Sequence, residues 1–291
     1  MTNTALNSIE SALADAIDTL QSSGLCHQDA RFEARYLLQT LLECDRSYLI
    51  IHAEQTLTAS IASCFAEWIN RRAKGEPVAY ITGERGFWRY QFFTTPDALI
   101  PRPDTELLVE TALTLIEPND APVISDLGTG TGVIGLCLAA ERPDATVFLV
   151  DLSLAALKLA AKNQRYLSQQ TDHPVHAHGI QSNWLDCFRD NQLDMLVSNP
   201  PYIDPNDPHL QQGDLRFEPI SALTAGSAGF ADFERIIKQA QACLKPGGWL
   251  VFEHGATQGA GLRERLNVAG FCAIETRSDL AGNPRVTLGR K

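Results

Sequence analysis

The segment Leu196-Val197-Ser198-Asn199-Pro200-Pro201-Tyr202 joins an apolar run to an asparagine, two prolines and an aromatic ring. Because proline lacks the N–H that a sheet ladder needs, the run is predicted to be a strand that ends at Asn199. In open α/β sheets, ligands bind outside the carboxyl ends of the strands. A planar NH2 group could donate to the Asn199 side-chain oxygen and a nearby backbone carbonyl, with Tyr202 covering its face. The segment therefore predicts a site for an amide or amino nitrogen.

Strand and helix patterns alternate along the chain on both sides of this segment. One helix is expected to begin after a cap at Asp104 or Thr105 and to run to about residue 117. Two more are expected over residues 154–169 and 230–244. Pro246-Gly247-Gly248 indicates a sharp turn into the fifth strand. The expected strands cover residues 123–127, 146–151, 175–180, 193–199, 249–253, 272–276 and 285–289. This alternation predicts an α/β fold with a seven-stranded, mostly parallel sheet and helices on both faces.

The first part of the chain is predicted to be helical from Ala5 to about Lys74. Gly24 is a natural stop for the first helix, and Gly75-Glu76-Pro77 breaks the last one. Short apolar and aromatic runs over residues 78–95 then predict a β-hairpin. Three helix faces are interpreted as core: Ile9, Leu13, Ile17 and Leu20; Phe32, Tyr36, Leu37, Leu41 and Leu42; Ile61, Phe65, Trp68 and Ile69. We expect a helical domain over residues 1–75, a hairpin linker over 76–97 and an α/β domain over 98–291.

A glycine-rich loop, Asp126-Leu127-Gly128-Thr129-Gly130-Thr131-Gly132, follows the first strand of the α/β domain and opens a helix. Glycines at this position permit a tight turn and a close approach of the backbone to a ligand, which suits NAD or another nucleotide. The G-x-G-x-G spacing differs from the dinucleotide fingerprint, and the loop lacks the Lys-Ser/Thr pair of a P-loop. Asp126 would repel a pyrophosphate, whereas it could orient the loop and attract an ammonium group.

Polar groups also follow the second and third strands of this domain. Asp151 lies about 20 residues beyond the glycines, where an acidic side chain can accept both ribose hydroxyls. It could also cap the helix that begins near Leu154, although Ser153 suits that role better. Asn183 and Trp184 could hydrogen-bond and flank an adenine ring, while a tryptophan taken alone is more often core. Four successive strand ends therefore carry groups suited to a nucleoside and a planar nitrogen.

This ordered set resembles the class I S-adenosylmethionine-dependent methyltransferases, in the branch that methylates planar nitrogens. The segments LIPRPDTE, DLGTGTG, SNPPYI and FEPISAL, after a helical N-terminal domain, are similar to the bacterial release factor glutamine methyltransferases, the HemK/PrmC family. The similarity covers nearly the whole chain, and the first and third segments are the most specific. The loop Thr224-Ala225-Gly226-Ser227 departs from the family, because it lacks acidic residues and paired glycines.

The resemblance implies a Rossmann-like methyltransferase domain, S-adenosylmethionine as cofactor, and a helical domain that helps to dock peptide chain release factors. It implies that the glycine loop holds the methionine and ribose parts of the cofactor, Asp151 the ribose hydroxyls and Trp184 the adenine side. The expected cofactor-binding residues are Asp126, Gly128, Thr129, Gly130, Thr131, Gly132, Asp151, Asn183, Trp184 and Asn199. The expected substrate-binding residues are Asn199, Pro200, Pro201 and Tyr202, and the expected catalytic residues are Asn199, Pro200 and Tyr202.

Three alternatives to a release factor substrate remain open from the sequence. An adenine methyltransferase acting on DNA or RNA would use the same Asn-Pro-Pro-Tyr segment, because adenine also carries a planar amino group. The net charge of −11 and the lack of a basic region interleaved with aromatics argue against nucleic acid. A ribosomal-protein glutamine methyltransferase is a closer alternative, which the PRPDTE segment disfavours by resemblance. A non-catalytic binding module is the third, and the intact Asn199 and glycine loop argue against it.

Other polar residues receive weaker interpretations. Arg102 is expected either to contact the cofactor or partner or to form a structural ion pair. Glu253 and His254, which end the fifth strand, are assigned no catalytic role, because the reaction requires no strong base. A cluster of His173, His176 and His178 lacks a matching Cys or acidic set, so no metal site is predicted.

Composition indicates an ordinary globular protein with room for two domains. The chain has 291 residues, 44% of them hydrophobic and 20% charged. Seven dispersed cysteines without a CxxC pair indicate reduced thiols. The N-terminus lacks the pattern of a signal peptide, and no apolar run approaches the roughly 18 residues of a membrane span. We expect a cytoplasmic protein with no membrane contact, acting as a monomer.

Overall fold

The computed structural model describes residues 8–117, 121–211 and 213–291, without the side chain of Ala228. The chain divides into two compact units, Met1–Gly83 and Glu84–Lys291. The predicted helix start at Ala5 lies outside the described residues. No helix in the described part of the chain is long and apolar enough to cross a membrane.

The first unit is helical, as predicted. Its first helix begins after Ser8, whose side chain accepts from the Ser11 N–H, and Gly24 follows its end with a φ of +107°. The buried side chains of the helices form one core, which includes Leu20, Leu37 and Phe65. The helices are α1 (Ile9–Ser22), α2 (His27–Leu42), α3 (Arg46–Ile51), α4 (Ala59–Ala73) and α5 (Val78–Thr82).

The prediction that Phe32 and Tyr36 belong to the core is wrong. Phe32 is 70% exposed and Tyr36 is 39% exposed, and their rings stack on each other with centroids 6.4 Å apart. The buried face of α2 instead carries Ala30, Ala34 and Leu37, which recur at helical spacing. The two aromatics recur at their own four-residue step, so they share a different face of the same helix.

The predicted hairpin is shorter than expected, because its first residues are helical. Val78–Thr82 forms α5, which ends at Gly83 with a φ of +77°. The β-branched and aromatic residues of this stretch favour a strand, but burial in the core of the helical unit overrides that preference. The hairpin itself consists of β1 (Glu84–Phe87) and β2 (Tyr90–Phe93), which pair antiparallel.

The second unit contains the predicted seven-stranded sheet. Its strands are β3 (Val123–Leu127), β4 (Thr146–Asp151), β5 (Ala177–Gln181), β6 (Leu193–Ser198), β7 (Leu244–Glu253), β8 (Cys272–Ser278) and β9 (Pro284–Arg290). Their order across the sheet is β5-β4-β3-β6-β7-β9-β8. The first five strands of this order are parallel, and β9 pairs antiparallel with both of its neighbours.

The expected turn at Pro246-Gly247-Gly248 lies inside a strand rather than before it. β7 begins at Leu244, and the register with β6 shifts between the pairs Leu193–Leu244 and Met195–Trp249. More residues of β7 than of β6 lie between these pairs, so the extra residues form a bulge. Gly247, with a φ of +83°, supplies the required backbone conformation.

Helices cover both faces of the sheet and bury two apolar clusters. The larger helices are α6 (Glu106–Leu115), α7 (Val133–Glu141), α8 (Leu154–Leu167), α11 (Ala231–Cys243) and α12 (Gly259–Val268). Two short helices, α9 (Ile220–Leu223) and α10 (Gly226–Gly229), lie between β6 and α11, and 3-10 turns occupy Pro103–Thr105, Pro208–Gln211 and Gly213–Phe217. Helices α6 and α7 contribute to one cluster, and α11 and α12 contribute to the other.

The expected side-chain cap of α6 is absent from the described structure. Thr105 occupies the N-cap position, but its side chain makes no capping hydrogen bond. Asp104 instead forms an ion pair with Arg285 at 3.0 Å. The Thr105 hydroxyl oxygen instead accepts from the side-chain Nδ2 of Asn199.

Candidate active site

Two of the predicted motifs begin at adjacent strand ends. β3 and β6 are parallel neighbours in which Leu127 pairs with Ser198, so the glycine loop and Asn199 leave the sheet side by side. The Ser198 hydroxyl donates to the Leu127 carbonyl at 2.8 Å and ties the two ends together. The strand order reverses here, with β4 and β5 on one side of β3 and β6 and β7 on the other. Open α/β sheets bind their ligands at such a switch point.

Gly128 is constrained both by its backbone and by an aromatic neighbour. Its φ is +68°, in the left-handed region that favours glycine. A Cβ at this position would lie 3.3 Å from Cζ3 of Trp184, which is closer than the usual carbon contact of about 3.5–4.0 Å. The N–H groups of Gly128 and Thr129 both donate to the Val150 carbonyl, at 2.9 and 3.0 Å. The loop is therefore fixed against β4 and packs directly against the Trp184 ring.

Asp151 is held by backbone hydrogen bonds at the end of β4. Its Oδ2 accepts from the Gly130 N–H at 2.9 Å, and its Oδ1 accepts from the Ser153 N–H at 2.8 Å. Ser153, as the sequence suggested, is the residue whose side chain caps α8. Each carboxylate oxygen can accept more than one hydrogen bond. Asp151 therefore retains the capacity to accept hydroxyl groups from a ligand.

Asp126 lies beneath the glycine loop and supports it. Its side chain is buried, and Oδ2 accepts from the Thr129 hydroxyl at 2.5 Å and from the Gly135 N–H at 3.0 Å. Burial raises the pKa of Asp126 to about 6, although the two hydrogen bonds oppose the rise. Neither Asp126 nor Gly132 is among the described residues that line the cavity above the strand ends. The contacts of Asp126 thus support its predicted part in orienting the loop.

A cavity of about 750 Å³ lies above these strand ends, entirely within the second unit. Burial raises the pKa of Asp232 in its wall, and hydrogen bonding from Trp184 opposes that rise. The sequence reasoning missed Asp232, which no local pattern distinguishes from other acidic residues in the first turn of a helix. The predicted residues that border the cavity are Gly128, Thr129, Gly130, Thr131, Asp151, Asn183, Trp184, Asn199 and Pro201.

A second cavity, of about 70 Å³, also has Asn199 in its wall. Pro200, Tyr202 and Glu253 border this small cavity. Asn199 and Pro201 border both cavities. The Asn-Pro-Pro-Tyr segment therefore contributes to the walls of both cavities, while the glycine loop borders the large one and Tyr202 borders the small one.

Asn199 is surrounded by hydrogen-bonding side chains that the sequence did not identify. Its Nδ2 donates to the Thr105 hydroxyl at 3.4 Å. Burial raises the pKa of Glu253 to about 7, and hydrogen bonding from Thr105 and from Asn199 opposes the rise. Thr105 was considered only as a helix cap, and Glu253 was assigned no role. Only the tertiary structure brings them to Asn199, because they come from distant parts of the chain.

Tyr202 is largely enclosed and stays neutral near pH 7. Burial raises its pKa to about 12, and the charge of Glu253 adds to the rise. Its carbonyl accepts from Gln258 Nε2 at 3.2 Å, and the same amide nitrogen donates to the Gly229 carbonyl at 3.3 Å. These hydrogen bonds hold the backbone just after the two prolines. The ring is thus available as an uncharged, partly apolar wall of the small cavity.

Arg102 forms the structural ion pair that the sequence left as one of two interpretations. Its Nη2 donates to Oε1 of Glu218, whose side chain is fully buried. The Ile100 N–H also donates to Glu218, at 3.3 Å. The pair connects the segments LIPRPDTE and FEPISAL. Arg102 also borders both cavities, so it remains close to any ligand that occupies them.

The loop that departs from the family pattern secures the exit of the Asn-Pro-Pro-Tyr segment. Ile203 pairs with Thr224 in a parallel bridge, and the Ala225 N–H donates to the Ile203 carbonyl at 3.0 Å. These contacts use backbone groups, so they do not depend on acidic side chains in this loop.

The histidine cluster shows no arrangement for a metal. His173 hydrogen-bonds to the Ala140 carbonyl, with its Nε2 at 3.1 Å, while His176 and His178 are exposed. Among the described residues, no group of three or more His, Cys, Asp or Glu side chains is arranged to hold a metal ion.

Solved structures share the fold of this chain at low sequence identity. The catalytic domain of hMettl16, in complex with a 3′UTR hairpin, is 14% identical with a TM-score of 0.53 and covers 89% of this chain and 91% of its own. A T. thermophilus 16S rRNA methyltransferase, in complex with AdoMet and guanosine, is 20% identical with a TM-score of 0.51. The match covers 72% of this chain and 49% of the methyltransferase chain. These similarities concern the fold alone, which is the class I methyltransferase fold expected from the sequence.

Sequence comparisons identify the family. The PrmC N-terminal domain matches residues 11–83, and the methyltransferase small domain matches residues 103–213. The release factor glutamine methyltransferase of Escherichia coli is 44% identical over 278 residues, which are 96% of this chain and 97% of the relative. The protein of the same name from Pseudomonas aeruginosa is 46% identical over 261 residues, 90% of this chain and 92% of the relative. The resemblance inferred from the sequence is confirmed: the chain belongs to the release factor glutamine methyltransferase family.

Proposed function

We propose that this protein transfers the methyl group of S-adenosylmethionine to the side-chain amide nitrogen of the glutamine in the Gly-Gly-Gln motif of peptide chain release factors, and so modulates translation termination. The observation that carries the proposal is the position of Asn199, which borders both the large and the small cavity. A group held in the small cavity by Asn199 would face the large one. Family membership supports the choice of substrate.

The large cavity fits S-adenosylmethionine in size and in the chemistry of its walls. At about 750 Å³ it is within the usual range of small-molecule sites. Gly128 lacks the Cβ that would meet Trp184, so the backbone can approach a ligand beside the ring. We assign the ribose hydroxyls to Asp151, the adenine side to Asn183 and Trp184, and the methionine part to the glycine loop. When bound, S-adenosylmethionine supplies a methyl group activated by a positively charged sulfur.

The Asn-Pro-Pro-Tyr segment would hold the nitrogen that receives the methyl group. An amide nitrogen is a poor nucleophile, because its lone pair is delocalised into the carbonyl. We propose that Asn199 Oδ1 and the Pro200 carbonyl accept the two N–H groups of the substrate amide, while Tyr202 covers its face. Fixing the nitrogen in this way can supply roughly 7–11 kcal/mol of the barrier through orientation. The alkylated amide is strongly acidic, so water or a carbonyl can take its proton without a strong base.

The charge of the chain supports a protein substrate rather than a nucleic acid. The net charge of −11 disfavours binding to the phosphates of DNA or RNA. A ribosomal-protein glutamine would fit the same cavity, and the names of the relatives favour the release factor over it.

We further propose that the helical unit docks the release factor and that the protein acts as a monomer. The exposed pair of Phe32 and Tyr36 offers an apolar contact on the helical unit. The seven cysteines are unpaired, which supports a reducing compartment such as the cytoplasm.

The substrate is tested by incubating the purified protein with methyl-labelled S-adenosylmethionine and, in parallel, a release factor, ribosomal proteins or unmethylated DNA. We expect label on the release factor, at the glutamine of its Gly-Gly-Gln motif, when peptides are analysed by mass spectrometry. A release factor with that glutamine changed to glutamate is the matched control and should stay unlabelled. Label only on a ribosomal protein or on adenine would refute the substrate assignment. An absence of label in every reaction, despite bound cofactor, would favour a binding module.

A further inference from the structure

Glu253 is a buried carboxylate beside the proposed substrate nitrogen that the reaction described above does not use. It ends β7, and Ser198 of β6 pairs with Phe252 of β7. Asn199 and Glu253 are therefore the next residues at two neighbouring strand ends. Both border the small cavity.

The surroundings of Glu253 are unfavourable for a residue kept only for stability. It is 2% exposed, and its Oε2 has no hydrogen-bond partner among the described residues. A buried polar atom left without a partner costs free energy. An apolar side chain would avoid this cost. The carboxylate is consequently better explained by a task at the small cavity.

The orientation of the Asn199 carboxamide is such a task. An asparagine side chain presents an acceptor oxygen on one side and a donor NH2 on the other. If its NH2 faced the small cavity, it would meet the NH2 of a glutamine amide, and neither could accept. The Thr105 hydroxyl already accepts from Asn199 Nδ2, at 3.4 Å. A carboxylate accepts hydrogen bonds only, so Glu253 also favours an NH2 turned toward it.

We propose that Glu253 is a positioning residue: together with Thr105 it holds the NH2 of Asn199 and so turns Oδ1 of Asn199 toward the substrate amide. This inference rests on the proposed function, because it explains how that function obtains the correct acceptor. It assigns Glu253 no contact with the reacting atoms. The effect on the reaction passes through Asn199 alone.

The charge of Glu253 makes this arrangement sensitive to pH. Burial raises the pKa of Glu253 to about 7. The charge of Asp104, on the 3-10 turn before α6, adds to this rise, and the charge of Arg285 on β9 opposes it. Tyr202, from the loop after β6, faces the same carboxyl and stays neutral. Protonation replaces an acceptor with a donor O–H, so the preference for the correct amide orientation weakens as the pH falls through about 7.

The test compares Glu253→Gln with the wild type and with Glu141→Gln, a control that replaces a half-buried, hydrogen-bonded carboxylate in another part of the second unit. Glutamine keeps the size of the side chain but presents an NH2 as well as an oxygen. We expect kcat for release factor methylation at pH 8 to fall at least tenfold in Glu253→Gln. S-adenosylmethionine affinity should stay within threefold, and the control should match the wild type. The fall in wild-type kcat between pH 8 and 6 should be absent from Glu253→Gln.

Two results would overturn the inference: an unchanged kcat and pH profile in Glu253→Gln, or an equal loss of cofactor affinity and kcat. A second measurement needs neither the Glu253→Gln variant nor turnover. The side-chain NH2 resonances of Asn199 in the wild type, identified by their absence from Asn199→Asp, should shift with a midpoint near pH 7. Resonances that stay constant from pH 6 to 8 would contradict the proposal. Failure of the proposed substrate would leave this titration intact, so the two failures are distinguishable.

Discussion

Replacement of Gly128 by alanine tests whether the glycine loop and Trp184 form the cofactor site. The substitution places a Cβ on a residue with a φ of +68°, which costs roughly 1–2 kcal/mol of stability for a residue other than glycine. The new Cβ would also lie 3.3 Å from Cζ3 of Trp184, so the ring or the loop must move by a few tenths of an ångström. Because both border the large cavity, the same movement disturbs the ligand side.

A matched control separates backbone strain from this contact. Gly270, which follows α12, has a φ of +87°, and a Cβ there would meet nothing within 4 Å. Gly270→Ala should therefore lose a similar free energy of unfolding, measured by urea denaturation, without any effect on the cavity. We expect the Kd of S-adenosylhomocysteine, measured by calorimetric titration, to rise at least tenfold in Gly128→Ala, or about 1.4 kcal/mol. The control should bind like the wild type. Equal Kd values in the two variants would refute the assignment of this loop to the cofactor.

Three further changes test other parts of the site. Burial raises the pKa of Asp126 from an ordinary value of 3.8 to about 6 in the folded protein, so its negative charge destabilises the fold increasingly from pH 4 to 6. Compared with Asp126→Asn, the wild type should therefore lose up to about 3 kcal/mol of unfolding free energy over that range. A difference between the two proteins that stays constant with pH would contradict the burial argument. Asp151→Asn should weaken cofactor binding about tenfold, through loss of a charged acceptor, with kcat at saturating cofactor within threefold; unchanged affinity in calorimetry would remove Asp151 from the site. Changing Phe32 and Tyr36 together to serine should raise the KM for the release factor while leaving cofactor affinity unchanged, and an unaltered KM would argue against docking through this face of α2.

The sequence was sufficient to predict the parts of the fold that follow from local pattern. β3 and β4 begin and end at the residues expected, because β-branched runs there are bounded by clear turn signals. The glycine loop and the Asn-Pro-Pro-Tyr segment were predicted for the same reason, since glycine and proline restrict the backbone locally. That the two motifs lie side by side depends on the pairing of β3 with β6, which only the structure gives.

The errors and omissions arise where tertiary packing decides. Val78–Thr82 has strand-forming residues but is a helix, because its side chains pack into the helical core. Phe32 and Tyr36 are exposed because smaller residues on another face of α2 fill the core. The role proposed for Glu253 depends on the pairing of β6 with β7, which no local pattern determines.

The central claim is that Asn199 holds the substrate nitrogen while the glycine loop holds the cofactor. The most direct test measures, on one preparation of Asn199→Ala, both the Kd of S-adenosylmethionine and the rate of methyl transfer to a release factor. The account predicts a Kd within about threefold of the wild type and a rate lower on the order of 10²-fold, as for loss of one well-placed hydrogen-bonding group in a transition state. A lost cofactor affinity together with a normal rate at saturating cofactor would contradict it.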